Sequence, residues 1–247
     1  MRESPLWATR LGIHAFDDRL ADNSEEGVAR WRAFRREVLE RAERIDPERL
    51  SPADRVTLAL LTEELENGVA QEVCEEHLWS LSARDNPVTE WNNLPEVHLV
   101  TTPAEGEALL SRYGAIAGSI DNMVANLRSG AKRGLYATAE STRRVLDMVD
   151  KQLAQPLDEW PLMQPANVPH DDWDEPTLEE FRLQLRATVE RSIQPALRRY
   201  GDLLRNELLP NARAEAYSGL VALPLCKACY AARVHRYLDA RSLWGDE

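Results

Sequence analysis

The chain has 247 residues, of which 43% are hydrophobic, with 14 prolines, 7 tryptophans and a formal net charge of −12. That length and apolar content supply one large or two small hydrophobic cores, and the mixed signs of the charged residues point to solvated helix faces rather than to a disordered tail. The acidic balance, with arginines interleaved among glutamates, excludes a general binder of nucleic acid or of an anionic membrane, because both partners need a basic patch.

No apolar run nears the roughly 20 residues of a membrane span, and the opening "MRESPLWATRLG" lacks the pattern of a secretory leader. Three cysteines do not make a disulfide framework, so a cytoplasmic location is expected.

The first helix signal lies in residues 24–45, where Val28, Trp31, Phe34, Val38, Leu39 and Ile45 keep to one broad face. The turn "IDPERLSP" then leads into a second helix with Ser51 as cap and Pro52 at its first position. Leu61, Leu65, Val69 and Val73 recur along it at four-residue spacing, so the pair predicts a helical hairpin. Thr102, Thr138 and Thr177 read as further N-caps, the first and third with a glutamate three residues on as a capping box. A helix starting after Gly114 or Gly118 is expected to end at Gly130 and Gly134, and the next to run from Thr138 to about Leu153.

Residues 155–176 hold five of the prolines, which excludes a long helix or a central strand. Trp160, Leu162, Met163 and Trp173 give this loop apolar anchors, so it is expected to lie packed along the helices. Pro195 should kink the long helix that follows. The expected fold is all-α: an irregular bundle of helical hairpins with long Pro-rich surface loops, forming a single domain over residues 1–247.

The residues offer no complete catalytic set. The histidines, 14, 77, 98, 170 and 235, form no H-x-x-x-H, so a self-contained H-E-x-x-H zinc helix is excluded, and G-x-S-x-G and phosphate-cradling glycine loops are missing too. Adjacent acids such as Glu63 and Glu64 diverge around a helix instead of sharing a site. Cys226-x-x-Cys229 lacks the strand-then-helix setting of a redox motif. With Cys74 and His77 it has the composition of a three-Cys, one-His zinc shell, a weaker alternative to small buried thiols.

The order of several segments resembles a known family, the bacterial proteins called domain of unknown function 885. The resemblance is carried by "ESPLWATRLGIHAFDDRLADNSEEGVARW", "IDPERLSPADRVTLALLTEELE", "NMVANLRSGAKRGLYATAESTRRVLDMVDKQL", "IQPALRRYGDLLRNELLPNAR" and "GLVALPLCKACYAARVHRY". That family looks like longer, mostly helical zinc metallopeptidases whose H-E-x-x-H lies in the second half. The resemblance implies that this chain is the N-terminal lobe and that zinc belongs to the missing half, with no cofactor held here.

The function this implies is a truncated or split peptidase-like protein, silent alone, that binds peptide or a partner: the C-terminal half or a second copy. The alternatives are an N-terminal fragment of an active zinc metallopeptidase and, last, a Cys/His metal binder. Tyr217, Gly219, Pro224, Tyr230 and Arg233 are the expected wall of a substrate cleft; the bland reading places Tyr230 in the core and Arg233 on the surface.

Overall fold

The computed structural model describes residues 2–224 and 226–237, and the sequence expected to form a single domain divides into two compact units. The larger combines Met1–Ser24 with His77–Glu215, and the smaller combines Glu25–Glu76 with Ala216–Glu247.

The helices, in chain order, are α1 (Pro5–Arg10), α2 (Glu25–Glu43), α3 (Pro52–Ala70), α4 (Pro87–Asn92), α5 (Leu94–Val97), α6 (Pro103–Lys132), α7 (Ala139–Ala154), α8 (Gln164–Asn167), α9 (Glu175–Thr188), α10 (Gln194–Leu203) and α11 (Cys226–Tyr237). Extended pairing among the described residues is limited to an isolated bridge between Thr138 and Arg213, so the fold is all-α.

Local chemistry sets most helix starts. The Ser51 hydroxyl accepts from the Asp54 N–H, and Thr138 accepts from the Ser141 N–H. Thr102 forms a full capping box: it accepts from the Glu105 N–H, while the Glu105 carboxylate accepts from the Thr102 N–H at 2.8 Å. Thr177 is not a cap. Asp174 takes that place and accepts from the Thr177 N–H at 3.1 Å, its carboxylate also suiting the positive end of the helix.

The helix expected after Gly114 or Gly118 is also corrected, because α6 runs unbroken for 30 residues from Pro103. Each interior glycine weakens such a helix by about 1 kcal/mol, which burial of a long apolar face outweighs. Gly130 has a packing reason, since a Cβ there would collide with the Leu78 carbonyl oxygen. Gly134, with φ of +72°, turns the chain out of the helix.

The larger unit is organised around α6. Leu109, Tyr113, Ile116, Ile120, Val124 and Leu127 are buried at three- and four-residue steps against α9 and α10. The Pro-rich loop packs as expected: Trp160, Leu162, Met163 and Trp173 are all buried, and the Trp173 indole donates to the Thr101 carbonyl at 2.7 Å. Pro195 has no N–H and its ring crowds the preceding turn, and there the helix widens into a π turn over Val189–Ile193.

In the smaller unit α2 and α3 form the expected hairpin, but polar groups hold it. Arg35 donates to the Gly68 carbonyl at 3.0 Å and to Glu72 at 3.2 Å, and Arg36 also pairs with Glu72. Arg35 lies 5.5 Å above the Trp31 ring. Helix α11 packs on α3 and on the 3-10 turn Gln71–Cys74.

Candidate functional site

The residues expected to line a substrate cleft belong to the smaller unit. Tyr217 and Pro224 are exposed, Gly219 precedes a 3-10 turn at Leu220–Ala222, and Tyr230 and Arg233 lie one turn apart on α11. Tyr230 is 55% exposed and so is not core; Arg233 is half-buried and pairs with Glu76. The same unit turns apolar groups outward on α3, where Val56 is 60% and Leu60 62% exposed and Leu61 follows on the adjoining edge. Ala53, Val56, Leu60 and Leu61 recur at helical spacing, so they form a stripe.

The cysteines behave differently from any sequence expectation. Cys74 and Cys229, 155 residues apart, are joined as a disulfide, because α11 returns the chain to the turn that follows α3. Cys229 therefore pairs across the fold and not with Cys226, whose side chain lies outside the described residues. A zinc shell would need both sulfurs as free thiolates. Among the described residues no three of His, Cys, Asp and Glu converge on a metal-sized site. This donor set does not fit a zinc ion.

A site not anticipated from the sequence lies in the larger unit. A cleft of about 250 Å³ is walled by Leu6, Trp7, Leu20, Trp91 and Met123 and carries the Glu90 side chain. Glu90 comes from α4, which the Asn86 capping box and Pro87 start, and it lies one position from the buried Trp91. Glu90 is exposed, and its carboxylate is open to solvent beside the apolar walls of the cleft. Desolvation first, and the charge of Asp85 second, push its pKa up to about 7. No described side chain pairs with it. What sequence reading missed is assembly: the walls come from α1, the segment after it, α4 and α6, none of which carries a motif.

Nearby in the same unit, Arg112 of α6 is fully buried within a polar cluster. Its Nε donates to the Arg19 carbonyl at 3.0 Å, and its Nη2 donates to Thr9 Oγ1 at 3.0 Å, the Phe16 carbonyl at 2.9 Å and Asp17 Oδ1 at 3.2 Å. Its Nη1 lies 2.9 Å from His98 Nδ1, and since a guanidinium only donates, that nitrogen accepts and the imidazole proton sits on Nε2.

Burial, then the Arg112 charge, lower the His98 pKa and keep the ring neutral. Burial works to raise Asp17, but hydrogen bonds from Thr9 and His14, with the charge of Arg112, hold it below the usual carboxylate range. The cluster latches residues 9–19 to α6.

The described residues thus form an all-helical fold with one packed core in the larger unit and apolar side chains exposed on the smaller. Residues 5–242 match the model of a family described as "Bacterial protein of unknown function (DUF885)", and the chain belongs to that family. The fold is similar to the crystal structure of a candidate lipoprotein from Colwellia psychrerythraea, with a TM-score of 0.79 at 13% sequence identity. That match covers 94% of this chain and 43% of the other, so this chain spans less than half the length of its structural neighbour. No curated protein matches it.

Proposed function

We propose that this chain is a peptidase-like binding lobe that lacks a hydrolytic centre of its own and works by docking the complementary half of the family fold. The observation that carries this reading is the outward stripe of Ala53, Val56, Leu60 and Leu61 on α3. Contiguous apolar surface of this kind marks an association site. Its occupant is argued from length: a fold that fills 94% of this chain fills 43% of its longer neighbour, leaving a large complementary part to be covered.

The peptidase character and the N-terminal position come from the resemblance of the sequence segments, and the zinc chemistry would belong to the complementary half. The Cys74–Cys229 pair favours an oxidising setting outside the cytoplasm over the cytoplasmic location expected from the cysteine count, and the candidate lipoprotein neighbour agrees with it. Thiol trapping of protein from its native cells gives one reactive cysteine if the pair is formed in place and three if it is not.

The main test is size-exclusion chromatography with light scattering of this chain, alone and mixed with a recombinant complementary half, followed by a zinc-dependent peptide hydrolysis assay. A one-to-one complex is the expected result, and hydrolysis by it would make this chain one half of a working peptidase. A chain that ignores the other half refutes the docking reading.

A further inference from the structure

The Glu90 cleft is independent of the docking face and belongs wholly to the larger unit. Its walls are aliphatic and aromatic, and the polar groups at its edge are mostly satisfied within the fold. The Asn23 Nδ2 donates to the Ser119 carbonyl at 2.9 Å, and Asn23 Oδ1 accepts from Asn122 at 3.1 Å. Two groups are exceptions: the Trp91 Nε1, which is buried without a partner, and the Glu90 carboxylate, which lines the cleft with no described partner. The one charged neighbour that acts on it, Asp85, is itself an acid; no described basic side chain lines the cleft.

Glu90 is exposed, so water can reach its carboxylate, but a carboxylate facing an apolar cleft with no described base beside it is a counter-charge offered to a cationic guest. The indole rings of Trp7 and Trp91 suit the same guest, because the π face of tryptophan attracts an ammonium while its area covers an apolar body.

We propose that this cleft binds a small primary ammonium compound with an apolar body, the ammonium facing the Glu90 carboxylate and the apolar part lying against Trp7, Leu20, Trp91 and Met123. The volume, about 250 Å³, admits one aromatic or branched aliphatic amine and excludes a folded chain. Recognition then depends on ionised Glu90, which gives the site a pH signature. With the carboxyl of the empty site pushed up to about 7, occupancy weakens as the pH falls through neutrality.

The test uses the full chain and 2-phenylethylamine, with 2-phenylethanol as the neutral isostere, by isothermal titration calorimetry. The amine is expected to bind at least about tenfold more tightly than the alcohol, since a charge-assisted contact is lost in the latter. Affinity for the amine is expected to fall about tenfold from near pH 8 to near pH 6, as Glu90 takes up its proton. Glu90→Gln should abolish both differences.

Shifts of the Trp7 and Trp91 indole N–H signals place the guest in this cleft. Equal binding of amine and alcohol, no pH dependence, no binding at about 10 mM amine, or shifts confined to other tryptophans would each overturn the proposal. If Glu90→Gln does not fold, the comparison of amine with alcohol and the pH series on the unaltered protein still decide it.

Discussion

The two units solve the same problem, holding helices together, with opposite materials. In the larger one, α6, α9 and α10 bury a continuous apolar face, and the fully buried Arg112 has its donors matched. In the smaller one arginines on Glu72 hold the α2–α3 hairpin and a disulfide ties α11 to the turn after α3, while Phe34, Val56, Leu60 and Tyr230 face outward. Exposed apolar residues on a helix are the observation behind the docking reading proposed above. The difference teaches that the larger unit satisfies its apolar faces internally, while the smaller leaves some of its own exposed.

The strongest way to break that contrast is to attack the latch. Arg112→Leu removes every donor that satisfies Asp17 and Thr9 from the α6 side and leaves a buried carboxylate facing only His14 and Thr9. The expected loss is about 3–5 kcal/mol, read by urea unfolding of the larger unit's tryptophans. The sign with pH is fixed: Asp17 is more acidic in the native state than its ordinary 3.8. Its contribution is therefore full above that value and is lost as the pH falls below it. A loss under about 1 kcal/mol would show that apolar packing alone holds residues 9–19 in place.

Next in size is the disulfide. Replacing Cys74 and Cys229 by serine should lower stability by about 2–4 kcal/mol. The effect should be confined to the smaller unit, with faster amide exchange in α3 and α11 and unchanged exchange in α6. Equal weakening of α6 would mean that the two units unfold as one and that the comparison between them fails.

How much of this was legible follows the range of the interactions. Caps are local chemistry, so Ser51, Thr102 and Thr138 could be read directly; Thr177 failed because the helix starts three residues earlier, where Asp174 accepts from the Thr177 N–H and leaves Thr177 inside the first turn. The unbroken α6 was missed because glycine propensity is a weak prior that tertiary burial overrides. The packed Pro-rich loop was legible because its tryptophans and leucine had nowhere favourable to go but the core.

The Cys74–Cys229 pair and the Glu90 cleft were illegible for one shared reason: both join segments far apart in sequence, and neither leaves a local signal. Glu90 in "NPVTEWNN" looks like any helix-surface acid. Only the neighbours brought by α1 and α6 make it unusual.

A smaller effect sharpens the view of the larger unit as a scaffold that tolerates one costly group. Glu90 is less acidic in the native state than its ordinary 4.5, so the folded protein binds more protons than the unfolded chain between that value and about 7. Native stability therefore declines across this window as pH rises. Glu90→Gln should stabilise the protein above neutrality, by about 1 kcal/mol once solvent screening of this partly exposed group is allowed for, and should make no difference near pH 4. Thermal melts at the two pH values check it, and a variant less stable at high pH would show that the carboxylate has a partner.

The smallest effect on stability belongs to the residue on which the contrast depends most. Leu60 is 62% exposed, so Leu60→Asp should change unfolding free energy by no more than about 0.5 kcal/mol in the chain alone. If α3 docks the complementary half, the same change places a charge in an apolar contact, and association should weaken at least about tenfold. A core position cannot show this pairing of results, because its loss would appear in the isolated chain first. Should Leu60→Asp instead destabilise the lone chain, the stripe is already covered within a homodimer, and light scattering at two concentrations would reveal the second copy.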